Sequence, residues 1–237
     1  MTQTTVPVIF DLDGTLVDPA GGITDGIAAA LAAEGLPVPS QDLLDAMIGP
    51  KLSDSLLSVA MVPAAKLDAV IRRYRQYYLA TGIAQSRLYP GIRDLLEGFV
   101  AAGRPVAVAT QKPEGLAQIV LRHHGIDALF QSIRGSADNE SSTEAPVGKA
   151  SIIAEALADL STRHAVMVGD RAQDVAGAIA NGLDCIGVAW GFAPDGELDD
   201  AGAVAVVDTT AGLLAAIERL EAIHTSAMSE VRNDGAV

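Results

Sequence analysis

A chain of 237 residues, 49% of them apolar and 4% aromatic, can bury the core of one large domain or of one domain carrying a smaller one. Its formal net charge of −14 argues against nucleic acid or an anionic membrane as partner, yet admits a small anion, because charges beyond roughly 8 Å are screened at physiological ionic strength. The single cysteine, Cys185, excludes an internal disulfide; with no basic-then-apolar start and no apolar run of roughly 20 residues, a soluble cytoplasmic protein is expected.

In chain order, Val6–Phe10 predicts a buried strand that runs into Asp11-Leu12-Asp13, where Gly14 has the freedom to turn sharply. A helix from Ile23 to Gly35, a proline-bearing loop at Leu36–Gln41 and a helical stretch at Gln41–Met47 follow. Leu67, Val70, Ile71, Tyr74 and Tyr78 share one helix face, which predicts an amphipathic helix over Lys66–Ala80 with Arg72, Arg73 and Arg75 largely off that face. No strand is predicted between Val17 and Tyr89, so 17–89 reads as an all-helical insertion, and Tyr89-Pro90-Gly91 marks the chain's return.

Helix and strand then alternate: helix Ile92–Ala102, strand Pro105–Ala109, helix Glu114–His124, strand Gln131–Arg134, helix Lys149–Leu160, strand His164–Val168, helix Asp174–Ala180 and strand Cys185–Ala189. A strand at Ala203–Val207 and a helix at Ala211–Ile223 complete the set. This alternation predicts an α/β fold, a doubly wound parallel sheet formed by residues 1–16 and 90–223 and interrupted by the helical insertion. Ser136–Gly148 and Gly191–Gly202 read as loops, and 224–237 as a mobile C-terminal tail.

Ligands of open α/β sheets bind outside the carboxyl ends of the strands. Asp11 and Asp13 follow the first core strand, Thr110, Gln111 and Lys112 the second, and Asp170 and Asp174 the fourth. Carboxylates gathered at one crevice repel unless a cation joins them, and magnesium accepts a few protein oxygens, keeps waters and takes phosphate oxygens as further ligands. A Mg²⁺ site that prepares a phosphoryl group for attack is therefore expected. Singly, each residue has a plainer reading: Asp-x-Asp-Gly as a turn, Asp170 and Thr110 as helix caps, Lys149 as a solvated lysine. Their ordered recurrence at strand ends favours the site.

Four stretches in this order, FDLDGTLVD, VAVATQKP, the helix-opening Gly148-Lys149 and VMVGDRAQD, resemble the haloacid dehalogenase-like hydrolases, and within them the phosphoglycolate-phosphatase-like branch. The resemblance covers nearly the whole chain and implies a Rossmann-like core with an inserted all-helical cap. It implies that Asp11 is the nucleophile, forming an aspartyl-phosphate, and that Asp13 protonates the leaving oxygen and later deprotonates water, proton transfers that contribute about 10²–10⁴-fold. It further implies that Thr110 hydrogen-bonds the phosphoryl group and Lys149 offsets its charge. Asp170 would hold Mg²⁺ with Asp11 and the backbone carbonyl of Asp13, and Asp174 would support that metal directly or through water. Gly14 and Gln111 are expected beside the substrate. Lys112 is the rival of Lys149 for the cationic role, and Lys149 is preferred because a helix start also aims backbone N–H groups at phosphate.

Within the insertion, MIGPKLSDSL is similar to the Gly-Pro-x-Leu stretch of phosphoglycolate-phosphatase-like caps that faces the core site. Its Lys51 is a candidate to meet a substrate anion, against the alternative of an exposed loop lysine. The expected substrate is a small phosphorylated metabolite, phosphoglycolate first by resemblance, and the expected assembly a monomer or homodimer. A 5′-nucleotidase or a β-phosphoglucomutase-like mutase would use the same two aspartates. A dehalogenase has no use for Asp13 or the metal ligands, and a phosphonate hydrolase would need Lys51 or Lys66 to form a Schiff base. A catalytically silent binding protein could dispense with these groups, all of which are present.

Overall fold

The computed structural model describes residues 5–137 and 148–234, with side chains as far as position 223. Val8–Phe10 forms β1, and its three side chains have no exposed surface, the mark of a strand covered on both faces. Beyond it, Val17–Asp18 (β2) pairs antiparallel with Arg87–Leu88 (β3), so the two chain crossings into and out of the insertion are bonded side by side. This two-stranded ribbon stands where the sequence predicts no strand; a pair of residues on each side is too short to show a period.

Between the crossings lie Gly22–Ala33 (α1), Gln41–Asp45 (α2), Leu52–Ser58 (α3), Ala64–Tyr77 (α4), a π-helical turn at Tyr78–Gly82 and Ile83–Gln85 (α5). α1 packs on α4, and the stacked rings of Tyr74 and Tyr78, with centroids 5.6 Å apart, carry the α4 face into the π turn. Neither α3 nor the π turn is foreshadowed by the sequence pattern. The turn widens the helix by one residue and sets Tyr78, which has no exposed surface, toward the core.

The chain then supplies Ile92–Ala101 (α6), Val106–Pro113 (β4), Glu114–His123 (α7), Ser132–Ser136 (β5), Lys149–Asp159 (α8), Val166–Gly169 (β6), Ala172–Ala180 (α9) and Asp184–Val188 (β7). Glu197–Ala201 (α10), Ala205–Val207 (β8) and Thr210–Asp234 (α11) end it. The sheet runs β5-β4-β1-β6-β7-β8, with every neighbouring pair parallel. β1 is thus central, and the strand order reverses around it, which opens a crevice at its carboxyl end. Alternate residues feed two cores: Ile9, Ala107 and Met167 meet Ile152, Ile153 and Val175 of α8 and α9, while Val8, Phe10 and Val108 meet Leu96, Phe99 and Ile217 of α6 and α11.

Two other expectations are amended. The polar stretch 191–202 contains α10, anchored by the buried Leu198. The last helix continues to Asp234, into the segment expected as a tail; no proline or glycine falls between Leu213 and Asp234. Positions 138–147 of the expected Ser136–Gly148 loop lie outside the described residues.

Candidate active site

The backbone N–H of Asp11 donates to the carbonyl of Val168 at 2.9 Å, which carries the parallel pairing one step past β1 and holds Asp11 at the crevice. Asp11 and Asp13 are both buried, and each has its own lysine. Lys149, the first residue of α8, donates from Nζ to Asp11 Oδ1 at 2.5 Å and lies 2.6 Å from Asp174 Oδ1. Lys112 Nζ donates to Asp13 Oδ2 at 2.5 Å and sits 4.5 Å from the centroid of the Tyr78 ring. The two lysines that the sequence sets as rivals are therefore both in the site, on different carboxylates.

An irregularity in β4 brings this about. Its pairing with β5 steps from Ala109↔Arg134 to Pro113↔Ser136, so Thr110, Gln111 and Lys112 of β4 stand against Gly135 alone. Bulges of this kind re-aim side chains next to active sites. Thr110 is buried, its Oγ1 accepts from the Lys112 N–H at 3.3 Å, and both residues line the cavity in front of Asp11.

Behind Asp11, carboxylate oxygens of Asp11, Asp170 and Asp174 lie within 4.8 Å of one another, all three residues buried. Asp170 accepts from Thr15 Oγ1 at 2.9 Å and from the Phe192 N–H at 3.0 Å; Asp174 Oδ2 accepts from the Arg171 N–H at 3.1 Å at the start of α9. Gly14, at φ +90°, passes so near that a Cβ there would stand 2.2 Å from Asp170 Oδ2, and a Cβ on Gly191 would stand 2.3 Å from Asp170 Cβ. Glycine at both positions lets two backbones close on one carboxylate. The donor set, carboxylate oxygens alone with a single lysine against three acids, fits a hard divalent cation. The side chain of Asp13 is outside this cluster, with its Oδ2 bonded to Lys112.

Burial pushes the Asp174 carboxyl up to about 6, against the pull of Lys149, and burial together with Asp11 and Asp174 pushes Asp170 well above the ordinary range. A folded-state value above the unfolded one stabilises the fold below about pH 4, and that contribution is lost as pH rises through about 6. In chelator, the melting temperature should therefore fall between about pH 5 and pH 7, and the increment from added Mg²⁺ should be larger at the higher pH. Melting curves at both values, with and without the metal, check this.

The cavity before Asp11 and Asp13 is small, about 40 Å³. Its floor is Asp11, Asp13, Thr110, Gln111 and Lys112, and its walls come from the insertion and the start of α7. Two polar bonds join core to insertion here: Arg171 Nη1 donates to the Ile48 carbonyl at 2.7 Å, and Gln111 Nε2 to the Gly49 carbonyl at 3.3 Å. Arg171 is further fixed by Glu197 of α10, 3.0 Å from its Nε. Tyr78 reads from the sequence as part of an apolar helix face and not as a neighbour of a catalytic lysine, and the one sequence signal for Arg171 is its place directly after Asp170. Lys51 is half-buried at the head of α3; its neighbours Pro50 and Leu52 line the cavity, and Lys51 does not. Lys66 donates to the Glu34 carbonyl at the end of α1 at 2.6 Å and is likewise absent from the lining.

A sequence model of the haloacid dehalogenase-like hydrolases matches residues 8–188. The chain belongs to this family. As a haloacid dehalogenase-like hydrolase it is similar to a 5′-nucleotidase of Pseudomonas aeruginosa, 37% identical over 193 residues that cover 81% of this chain and 86% of that one. It is also similar to the tyrosine-protein kinase PtkA of Mycobacterium tuberculosis, 42% identical over 188 residues covering 78% of this chain, and spans 62% of that longer protein. Among solved structures, a predicted phosphatase from Clostridium acetobutylicum superposes with a TM-score of 0.83 at 32% identity, covering 91% of this chain and 99% of that one. Among the described residues of this haloacid dehalogenase-like hydrolase, no helix is long and apolar enough to cross a membrane.

Proposed function

We propose that this haloacid dehalogenase-like hydrolase is a Mg²⁺-dependent phosphomonoesterase that acts on a small phosphorylated metabolite through an aspartyl-phosphate at Asp11. The observation that carries the reading is the pairing of two buried aspartates at the end of β1, one tied to Lys149 beside Asp170 and Asp174, the other set apart from them by Lys112. One carboxylate faces the acidic cluster; the other keeps its side chain for proton transfer. Kinship to proteins named phosphatase and 5′-nucleotidase supports the same chemistry.

An oxygen of Asp11 attacks phosphorus, and the bond from phosphorus to the leaving oxygen breaks. Asp13, whose carboxyl burial pushes upward against the pull of Lys112, gives that oxygen its proton. The alcohol departs. Asp13, now ionised, takes a proton from water as the water oxygen attacks phosphorus; the bond from phosphorus to the Asp11 oxygen breaks, which frees the Asp11 carboxylate and releases inorganic phosphate. Thr110 donates a hydrogen bond to the phosphoryl group, and Lys149 keeps a positive charge beside it throughout. Held by Asp11, Asp170, the Asp13 carbonyl and, directly or through water, Asp174, Mg²⁺ would neutralise the phosphoryl oxygens. Residues 17–89 serve as a cap that closes over the core formed by 1–16 and 90–223.

The test is hydrolysis of an aryl phosphate by the purified protein. Turnover should vanish in excess chelator and return with Mg²⁺, while Ca²⁺ restores little because its looser coordination disturbs the arrangement. Undiminished turnover in chelator would overturn the metal assignment, and no turnover under any condition would overturn the phosphatase reading.

A further inference from the structure

Phosphomonoesterase chemistry fixes one end of the substrate, and the walls of the cavity constrain the other. Facing Asp11 and Asp13 stand Ile23, Met47, Ile48, Leu52, Tyr74 and Leu116. Five are aliphatic or thioether side chains and one is a tyrosine. Among the described residues that line the cavity, Lys112 is the one cation, and its ammonium is already bonded to Asp13 and laid over the Tyr78 ring. Lys149 is bonded to Asp11 and Asp174 and is not part of the lining. The amide of Gln111 already donates to the Gly49 carbonyl.

We propose that the leaving group is uncharged and apolar next to the ester oxygen, and that carboxylate-bearing esters such as phosphoglycolate are poor substrates. The inference rests on the phosphomonoesterase reading and turns its substrate class away from the one that resemblance puts first. A carboxylate carried on the leaving group would be pressed against hydrocarbon with no free cation within the lining, and burying an unpaired carboxylate is far costlier than burying an amide or a ring. An uncharged leaving group escapes that penalty, and its apolar atoms rest against the apolar wall.

Three probes decide it: phosphoglycolate, its neutral isostere 2-phosphoglycolamide, and phenyl phosphate, compared by kcat/KM at saturating Mg²⁺. The amide should exceed phosphoglycolate by about tenfold or more, and phenyl phosphate should be at least as good as the amide. Leu52→Lys, which sets an ammonium on the same wall, should move the amide-to-glycolate ratio toward phosphoglycolate. A wild-type ratio near one or in favour of phosphoglycolate overturns the proposal; so does a folded Leu52→Lys protein with an unchanged ratio, since the preference would then lie in leaving-group reactivity and not in the wall. Failure to hydrolyse any of the three is a different result, one that overturns the phosphatase reading itself.

Discussion

Asp11→Asn is expected to lose turnover by about 10⁴-fold or more, the scale on which removal of a covalent nucleophile acts, while the protein remains folded. The amide keeps the shape of the side chain and gives up the charge that attacks phosphorus. Stability should not suffer. Asp11 is one of three buried carboxylates crowded within 4.8 Å, and its loss leaves Lys149 still paired with Asp174 at 2.6 Å. One charge fewer in that cluster relieves repulsion, so the melting temperature in chelator should hold or rise. Rapid quenching with labelled substrate gives the second readout: wild type retains label on Asp11, and the variant retains none. Label persisting on another residue of Asp11→Asn would reassign the nucleophile.

Lys149→Ala should damage both the fold and the chemistry, which separates it from Asp11→Asn. With its ammonium gone, Asp11, Asp170 and Asp174 face one another without a cation, the case in which breaking a buried pair costs about 3–5 kcal/mol. At roughly 2–4 °C per kcal/mol for a chain of this size, the melting temperature in chelator should drop by roughly 6–20 °C, and Mg²⁺ should return part of the loss. Turnover should fall by about 10²–10³-fold even at saturating metal, because a fixed positive charge beside the phosphoryl group is gone. Lys112→Ala should fall less with an aryl phosphate, whose leaving group needs little protonation by Asp13, the carboxylate Lys112 holds. Melting curves and steady-state rates for both variants check this, and the reverse order of damage would give the phosphate-facing role to Lys112.

The sequence makes β1 and its two aspartates legible because a strand buried on both faces is a continuous apolar run, and the polar residues that end it then stand out. The same holds for Val166–Gly169 and Asp170. What escapes is whatever depends on two distant segments meeting. β2 and β3 are two residues each and exist through one another, across the whole insertion. Nothing in the pattern around Lys112 says that it binds Asp13, since that contact depends on the irregular stretch of β4 and on the Tyr78 ring supplied by a π turn. Lys51 is a different case: a loop lysine beside Gly49 and Pro50 reads either as a ligand or as an exposed lysine, and at the head of α3 it is half-buried next to Pro50 and Leu52, which line the cavity.

The bonds from Arg171 to Ile48 and from Gln111 to Gly49 bear on speed as well as shape. The Ile48–Gly49 turn forms part of the cavity wall, so a lift of that turn would widen the way by which an alcohol leaves and a new ester enters. Lifting gives up one hydrogen bond from a charged donor, worth about 1.5–3 kcal/mol, and one neutral bond worth about 0.5–1.5 kcal/mol. That toll is the same whatever ester is bound. Were exchange to wait on that lift, esters whose bond-breaking is fast would share one ceiling of maximal rate, set by how often the turn lets go.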